Sequence, residues 1–306
     1  MKSVMLNRRM GRSRFSVFDT LNITALLALM VVTLYPFVNM AAVSLNQAVD
    51  TTLGSNFIWP RKFTLYNYKV ILKDSIIYHA FMISVLRTVV GTFTSVFCTA
   101  MLAYTLSRKE YILRSPISMI FVFTMYFSGG LIPVFMLIKS LGLTNSFWVY
   151  IIPGLVSAFN LIIMRSFIDG LPEDLVESAK IDGANDFTVF IRVVLPLCMP
   201  AIATVSLFVA VGQWNSWIDT FLYNSANSNL STLQYELLKK IQSANLSIGG
   251  SATSAFLNQQ NAQANMVTPV SMRAAITMLA TVPILLVYPF LQKYFIKGMT
   301  LGGVKE

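Results

Sequence analysis

Six apolar runs leave this chain few ways to fold. They cover approximately residues 18–43, 81–106, 116–138, 148–167, 197–217 and 272–294, and none carries an acidic residue in its middle. A hydrocarbon core about 30 Å thick is crossed by about 20 helical residues, so each run is long enough to span a bilayer. With no water to satisfy a bare peptide group, such a segment must be helical. The expectation is an all-α, polytopic membrane protein with six transmembrane helices. Pro36, Pro133, Pro153 and Pro283 fall inside these runs or near their ends. In water they would argue against helix, but in a bundle neighbouring helices satisfy the carbonyls they free.

Only 12% of the residues are charged and 55% are hydrophobic, too few charges to cover a soluble chain of this length. The net charge of +10 raises nucleic acid as a partner. The basic residues instead sit beside the apolar runs, where they set orientation, so no nucleic acid is expected. With both termini in the cytoplasm, the inside segments hold Lys2, Arg8, Arg9, Arg12 and Arg14, then Arg108, Lys109 and Arg114, then Arg165, Lys180 and Arg192, then Lys293, Lys297 and Lys305. The outside segments, spread over longer loops, hold Arg61, Lys62, Lys69, Lys73, Lys139, Lys239 and Lys240. Arg87 and Arg273 lie near the outer ends of their helices. The predicted organisation is a cytoplasmic segment 1–17, a membrane domain 18–294 and a cytoplasmic tail 295–306.

The basic N-terminus and Ala42-Val43-Ser44 imitate a signal peptide, but the apolar stretch between them is too long for a cleavable one and reads as a retained first helix. Cys98 and Cys198 read as small core hydrophobes, with no disulfide framework or metal spacing. His79 is the only histidine, which leaves His-based metal sites and triads without material; it reads as an interfacial polar residue.

Two outside segments are long. Residues 46–80 mix turns with Phe57, Trp59, Phe63, Tyr66 and Tyr68. Residues 218–270 are rich in Asn, Ser, Gln and Ala, with a short amphipathic helix expected over 233–241 and flexible chain elsewhere. Both are open to two readings, solvated loop or contact surface for an external partner.

The inside segment 169–196 is more than a connector, since joining two spans needs only a few residues. Pro172 suits a first helical position, and Glu173 and Asp174 follow in the first turn, where negative charge suits the helix dipole. Gly183 fits the left-handed position that ends a helix, and Asn185 or Asp186 caps the next. Phe187, Phe190, Ile191 and Val194 then form an apolar stripe, before Leu195-Pro196 stops the helix. The acidic residues Glu173, Asp174, Glu177, Asp182 and Asp186 would be repelled by anionic lipid, which favours docking into a protein over lying on the bilayer.

The run Glu177-Ser178-Ala179-Lys180-Ile181-Asp182-Gly183-Ala184, followed by Phe187, Ile191, Leu195-Pro196 and Pro200, closely resembles the Glu-Ala-Ala motif of ABC importer permeases. Ser178 replaces the middle alanine of the family pattern and keeps the small size that a tight helix contact needs. Phe63-Thr64-Leu65-Tyr66-Asn67-Tyr68 is similar to carbohydrate-uptake permeases related to the maltose system. Ser128-Gly129-Gly130-Leu131-Ile132-Pro133 and Phe295-Ile296-Lys297-Gly298-Met299 resemble a subgroup associated with complex oligosaccharides. The resemblance implies a type I importer permease of the bacterial cell membrane. It implies pairing with a second, homologous permease, two ATPase subunits that hold ATP and Mg2+, an external solute-binding protein and a carbohydrate cargo. Glu177, Ser178, Ala179, Asp182, Gly183, Phe187, Ile191 and Pro196 would then form the coupling element, with Glu177 facing a basic residue of the ATPase. The chain has no G-x-x-x-x-G-K-[ST] sequence, so no cofactor of its own and no catalytic residue are expected.

Sugars are held by flat aromatic faces and by amide or hydroxyl partners. Gln213, Trp214, Asn215 and Trp217 offer both near the end of the fifth run, and Tyr126 and Asn160 are further candidates. The two tryptophans are open to reading as an interfacial belt, and the amides as hydrogen bonds between helices. An ion-driven transporter would place carboxylates within the spans, and a membrane enzyme would need clustered reactive groups; neither pattern is present.

Overall fold

The computed structural model describes residues 17–54, 58–249 and 267–303. The N-terminal basic residues, Phe57, the whole 250–266 stretch and Lys305 lie outside the described residues. Among the described residues there is no strand, only an isolated antiparallel bridge between Asn46 and Phe63.

Three helices are long and apolar enough to cross a membrane: α1 (Val17–Ser44), α4 (Ser75–Ser107) and the last helix, which begins at Pro269. They correspond to the first, second and sixth apolar runs. Between α1 and α4 lie two short helices, α2 (Ala48–Leu53) and α3 (Tyr66–Lys73). The third run is divided into α5 (Arg114–Tyr126) and α6 (Leu131–Ser140), separated by Phe127–Gly130. Gly130 adopts φ +85°, a left-handed conformation that no helix interior contains. The fourth run opens as a 3-10 turn, Phe147–Tyr150, and becomes helical only in α7 (Ala158–Ile168). Pro153 is the cause, because it biases the residue before it away from helical geometry and brings no N–H. Of the six helices expected, the described residues contain three unbroken ones and one bent pair, while the third and fourth runs are not single helices.

The bent pair is the fifth run together with the chain before it. Helix α8 (Glu173–Ile181) leads into α9 (Asp186–Leu197), and α10 (Met199–Asn215) leaves α9 at 82°. The Leu195-Pro196 stop expected from sequence does not occur; the helix runs two residues further than Leu195 and breaks at Cys198. Pro196 is accommodated by a π turn over Phe190–Val194, where Leu195 N–H bonds Phe190 C=O. Widening the helix relieves the clash and the missing bond that proline imposes. Pro200 removes the next bond on the same side, so the ladder fails at Cys198.

α4 lies at the centre, packed along α10 and α7. Its buried residues are largely small, including Ser84, Gly91, Ser95, Thr99, Ala100 and Ala103, which lets neighbouring backbones approach closely. One core joins α4, α7, α9 and α10 through Tyr104, Met164, Phe190, Val194 and Val205. After α11 (Ile218–Tyr223) comes α12 (Leu233–Gly249), which packs on α4 and on the last helix, α13 (Pro269–Gly303). The short helix expected over 233–241 is thus longer, reaching Gly249. Leu233 is fully buried and its N–H donates to Ser84 Oγ at 2.9 Å.

At the α12 end, residues 44–54 and 58–74 form a knot around the buried Asn46. Its amide donates to Asp50 Oδ2 and Thr51 Oγ1, and its carbonyl accepts from Lys62 N–H. Asn67 donates to the carbonyls of Ser44 and Asn46, and Ser44 pairs with the Tyr68 hydroxyl. The knot seats α3 against the start of α4, at the opposite end from α8.

Candidate functional site

α8 begins immediately after Pro172, which occupies the flanking cap position one residue earlier than expected. Glu173 and Asp174 form the acidic first turn. The helix ends through Gly183 at φ +84°, with Ala184 N–H on Ala179 C=O and Gly183 N–H on Lys180 C=O, both at 3.0 Å. This double bond pattern satisfies the last carbonyls and requires the left-handed residue that glycine supplies. Asn185 caps α9 by accepting from Thr188 N–H at 2.8 Å.

Two ion pairs clamp the helix pair. Lys109, in the turn between α4 and α5, lies 2.8 Å from Glu173, and Lys180 lies 3.2 Å from Asp186. The hydrogen bond and charge of Lys109 lower the Glu173 carboxyl below its ordinary range. The hydrogen bond that Lys180 donates to Asp186 raises the Lys180 ammonium above its ordinary value.

The segment presents two faces. Val176, Val189, Phe190 and Val194 are buried against α4 and α7, with Ala179 and Ala184 packed beside them. Glu177, Ser178, Asp182, Gly183, Phe187, Ile191 and Pro196 are exposed. The apolar stripe expected over 187–194 is split: Phe190 and Val194 turn inward, while Phe187 is 60% exposed. The π turn changes which positions align. Ile181, 86% exposed, joins the outer face and was not a sequence candidate. Its signal was its position four residues after Glu177, one turn along the same stripe.

The sugar-path candidates do not converge. Tyr126 ends α5 at the break and is exposed, while Asn160 is buried in the first turn of α7. Trp214 is buried, donates from Nε1 to Ala280 C=O at 2.8 Å and meets Phe81 edge to face. Trp217 is half-exposed beside Phe221, and the exposed Asn215 accepts from Gln234 at 3.2 Å. Gln213 bridges helices, accepting from Arg87 Nε at 2.7 Å and donating to Tyr150 C=O at 3.2 Å.

Arg87 is the centre of the cluster that the candidates only bordered. It is 3% exposed, and its guanidinium donates to Gln213, to the Ser216 carbonyl and to Asp219 Oδ2. The Tyr150 ring lies beneath it, 4.5 Å from centroid to Cζ. Gly91 makes the approach possible, since a Cβ there would stand 3.0 Å from the Gln213 side chain. In sequence Arg87 read as a charge near the outer end of its helix; 132 positions separate it from Asp219, and no local pattern links them.

Residues 100–301 match the family described as the binding-protein-dependent transport system inner membrane component. The chain is 40% identical to the polygalacturonan/rhamnogalacturonan transport system permease protein YtcP of Bacillus subtilis (strain 168), over 94% of this chain and 98% of that one. It is 38% identical to protein LplC of the same organism, over 98% of both. Among solved structures, it superposes with a TM-score of 0.81 and 29% identity on a chain of a bacterial ABC transporter involved in the import of the acidic polysaccharide alginate, covering 91% of this chain and 96% of that one. With its α8–α9 segment inside the matched region, the chain belongs to the family of binding-protein-dependent transport system inner membrane components.

Proposed function

We propose that this chain is one of two paired permease subunits of an ATP-driven importer that moves an acidic oligosaccharide across the cell membrane. The observation that carries the reading is the division of the α8–α9 segment. One face is fixed into the bundle by Val176 and Phe190, with the exposed Lys109–Glu173 pair at its edge, while Glu177, Ile181, Asp182, Phe187 and Ile191 are exposed. A helix pair held this firmly and left apolar and acidic on the outside fits a cleft on a partner ATPase. There ATP and Mg2+ supply the driving force, and the segment passes closure of the cleft to α4, α7 and α10. Its role is to bias a two-state equilibrium of the bundle.

On this reading α8 and both termini are cytoplasmic, the Asn46 knot and α12 are external, and a solute-binding protein delivers cargo there. Six crossings follow if α5 with α6, and the chain from Phe147 through α7, each cross as broken spans. Non-helical backbone at membrane depth is tolerated only where protein covers it or water lines it. That supports placing Phe127–Gly130, with the exposed Tyr126, along the transport path or against the paired permease. The cargo class rests on two relatives, a polygalacturonan/rhamnogalacturonan permease and an alginate importer, both of which handle polymers rich in uronic acids.

Calorimetry of the purified solute-binding partner against uronate and neutral oligosaccharides tests the cargo. Binding of a galacturonate oligomer is expected; binding of neutral oligomers alone would reject the acidic assignment.

A further inference from the structure

We propose that Arg87 reads a carboxylate of the cargo, and that Asp219 holds the guanidinium until a uronate takes its place. The inference rests on the acidic-oligosaccharide reading and adds the residue that would recognise the acid.

A buried cation within a membrane helix is costly and points to a function. Packing alone would be met by a neutral donor, as Gln213 and Trp214 show by joining α10 to the Tyr150 carbonyl and to the last helix. The arrangement around Arg87 is asymmetric. Its side chain is 3% exposed, whereas that of Asp219 is 31% exposed, so the counter-ion stands at the accessible side of the pair. An anion approaching from that side meets the position of Asp219 first.

The other partners hold Arg87 independently. Gln213 Oε1 takes Nε, the Ser216 carbonyl takes Nη1, and Tyr150 supports the flat face. With Asp219 withdrawn, the guanidinium keeps its place and loses one carboxylate partner. Exchanging one carboxylate for another preserves the charge-assisted bonds, so the substitution is nearly balanced in energy. Asp219 sits near the start of the short helix α11, and Ser216 Oγ, which donates to Asp219 Oδ2 at 2.8 Å, offers the carboxylate a second donor.

Beside the cluster, though not lined by Arg87, Gln213 or Asp219, the helices leave open space. A groove of about 460 Å³ runs between α4 and α10. Among its lining residues are Thr88, next to Arg87, and Ala210, one turn before Gln213. That volume lies within the range of small-molecule sites, about 300–1,000 Å³. Its walls are largely apolar, with Phe93 and Phe97 stacked along one side, and the Thr88 hydroxyl is turned to the Ser84 carbonyl. The Thr92 hydroxyl has no hydrogen-bond partner among the described residues.

The test is calorimetric binding of tri-galacturonate to the complete transporter in nanodiscs, held with a non-hydrolysable ATP analogue. The wild type binds. Asp219→Asn frees the guanidinium and tightens binding about tenfold, and Arg87→Gln with Asp219→Asn weakens it about tenfold or more, as expected for a charge-assisted bond. The double variant removes both charges together, so no unpaired ion is left buried. Should Asp219→Asn fail to assemble, the double variant alone decides. No binding by the wild type, unchanged affinity in the double variant, or equal weakening in both variants overturns the assignment. Receptor-dependent uptake of tri-galacturonate into proteoliposomes separates the two claims. Absence of uptake by the wild type defeats the cargo reading and Arg87 with it, whereas uptake without dependence on Arg87 defeats this inference alone.

Discussion

Lys180 reaches across the Gly183 turn to Asp186, with Nζ 3.2 Å from Oδ1, and so ties the end of α8 to the start of α9. Both side chains are largely exposed, so the pair adds little stability by itself. Its effect is geometric. It holds the two helices so that Glu177 and Ile181 from one and Phe187 and Ile191 from the other share one accessible side.

Glu177→Lys reverses a charge on that side without touching the buried face. Insertion and pairing of the permease are expected to be unchanged, and ATP hydrolysis stimulated by the loaded solute-binding protein is expected to be lost. Normal stimulated turnover would remove Glu177 from the coupling surface.

Gly183→Ala tests the turn. Nothing lies within 4 Å of the added Cβ, so the cost is that of the left-handed backbone, about 1–2 kcal/mol. Stimulated ATPase activity should fall severalfold, with Gly183→Asn milder because Asn tolerates this conformation. Equal activity in all three would show that the turn does not position the coupling surface.

Gln213→Leu and Asn215→Leu should differ. Gln213→Leu leaves Arg87 Nε without its acceptor, for a loss of about 1–3 kcal/mol in thermal unfolding of the purified complex. Asn215 is exposed and should cost much less. Equal losses would contradict the Arg87–Gln213 bridge.

The clamp ion pairs predict a pH window. Glu173 has a lowered carboxyl, so its contribution is present above the ordinary value of 4.5 and is lost as pH falls through the lowered one. Lys180 has a raised ammonium, so its contribution is present below the ordinary value of 10.5 and is lost as pH rises through the raised one. Limited proteolysis between residues 170 and 186 should therefore be slow and pH-independent near neutrality and should accelerate in acid. Lys109→Met should remove the acid-side acceleration; its persistence would assign that acceleration to another group.

The helix signals of α8 were local and therefore readable. Pro172, the acidic first turn, Gly183 and the Asn185 cap each act within about four residues along the chain. The outward residues were harder to place, because a π turn shifts the face of a helix and is set by where Pro196 must be accommodated within the packed bundle. The same holds for the third and fourth apolar runs. Gly129-Gly130 and Pro153-Gly154 lie within those runs, yet hydropathy averages over them, and a run long enough to span need not be one helix.

What the amino-acid order determined alone was the membrane class, the long helices and the caps of the loop, since each depends on hydrophobic length or on bonds between near neighbours. The 82° bend, the two-faced loop and the meeting of Arg87 with Asp219 were decided only by the tertiary structure. Arg87 and Asp219 come together because small residues on α4 admit α10 closely enough for Gln213 to seat against Gly91. A contact between positions so far apart in the chain exists only once both helices are packed.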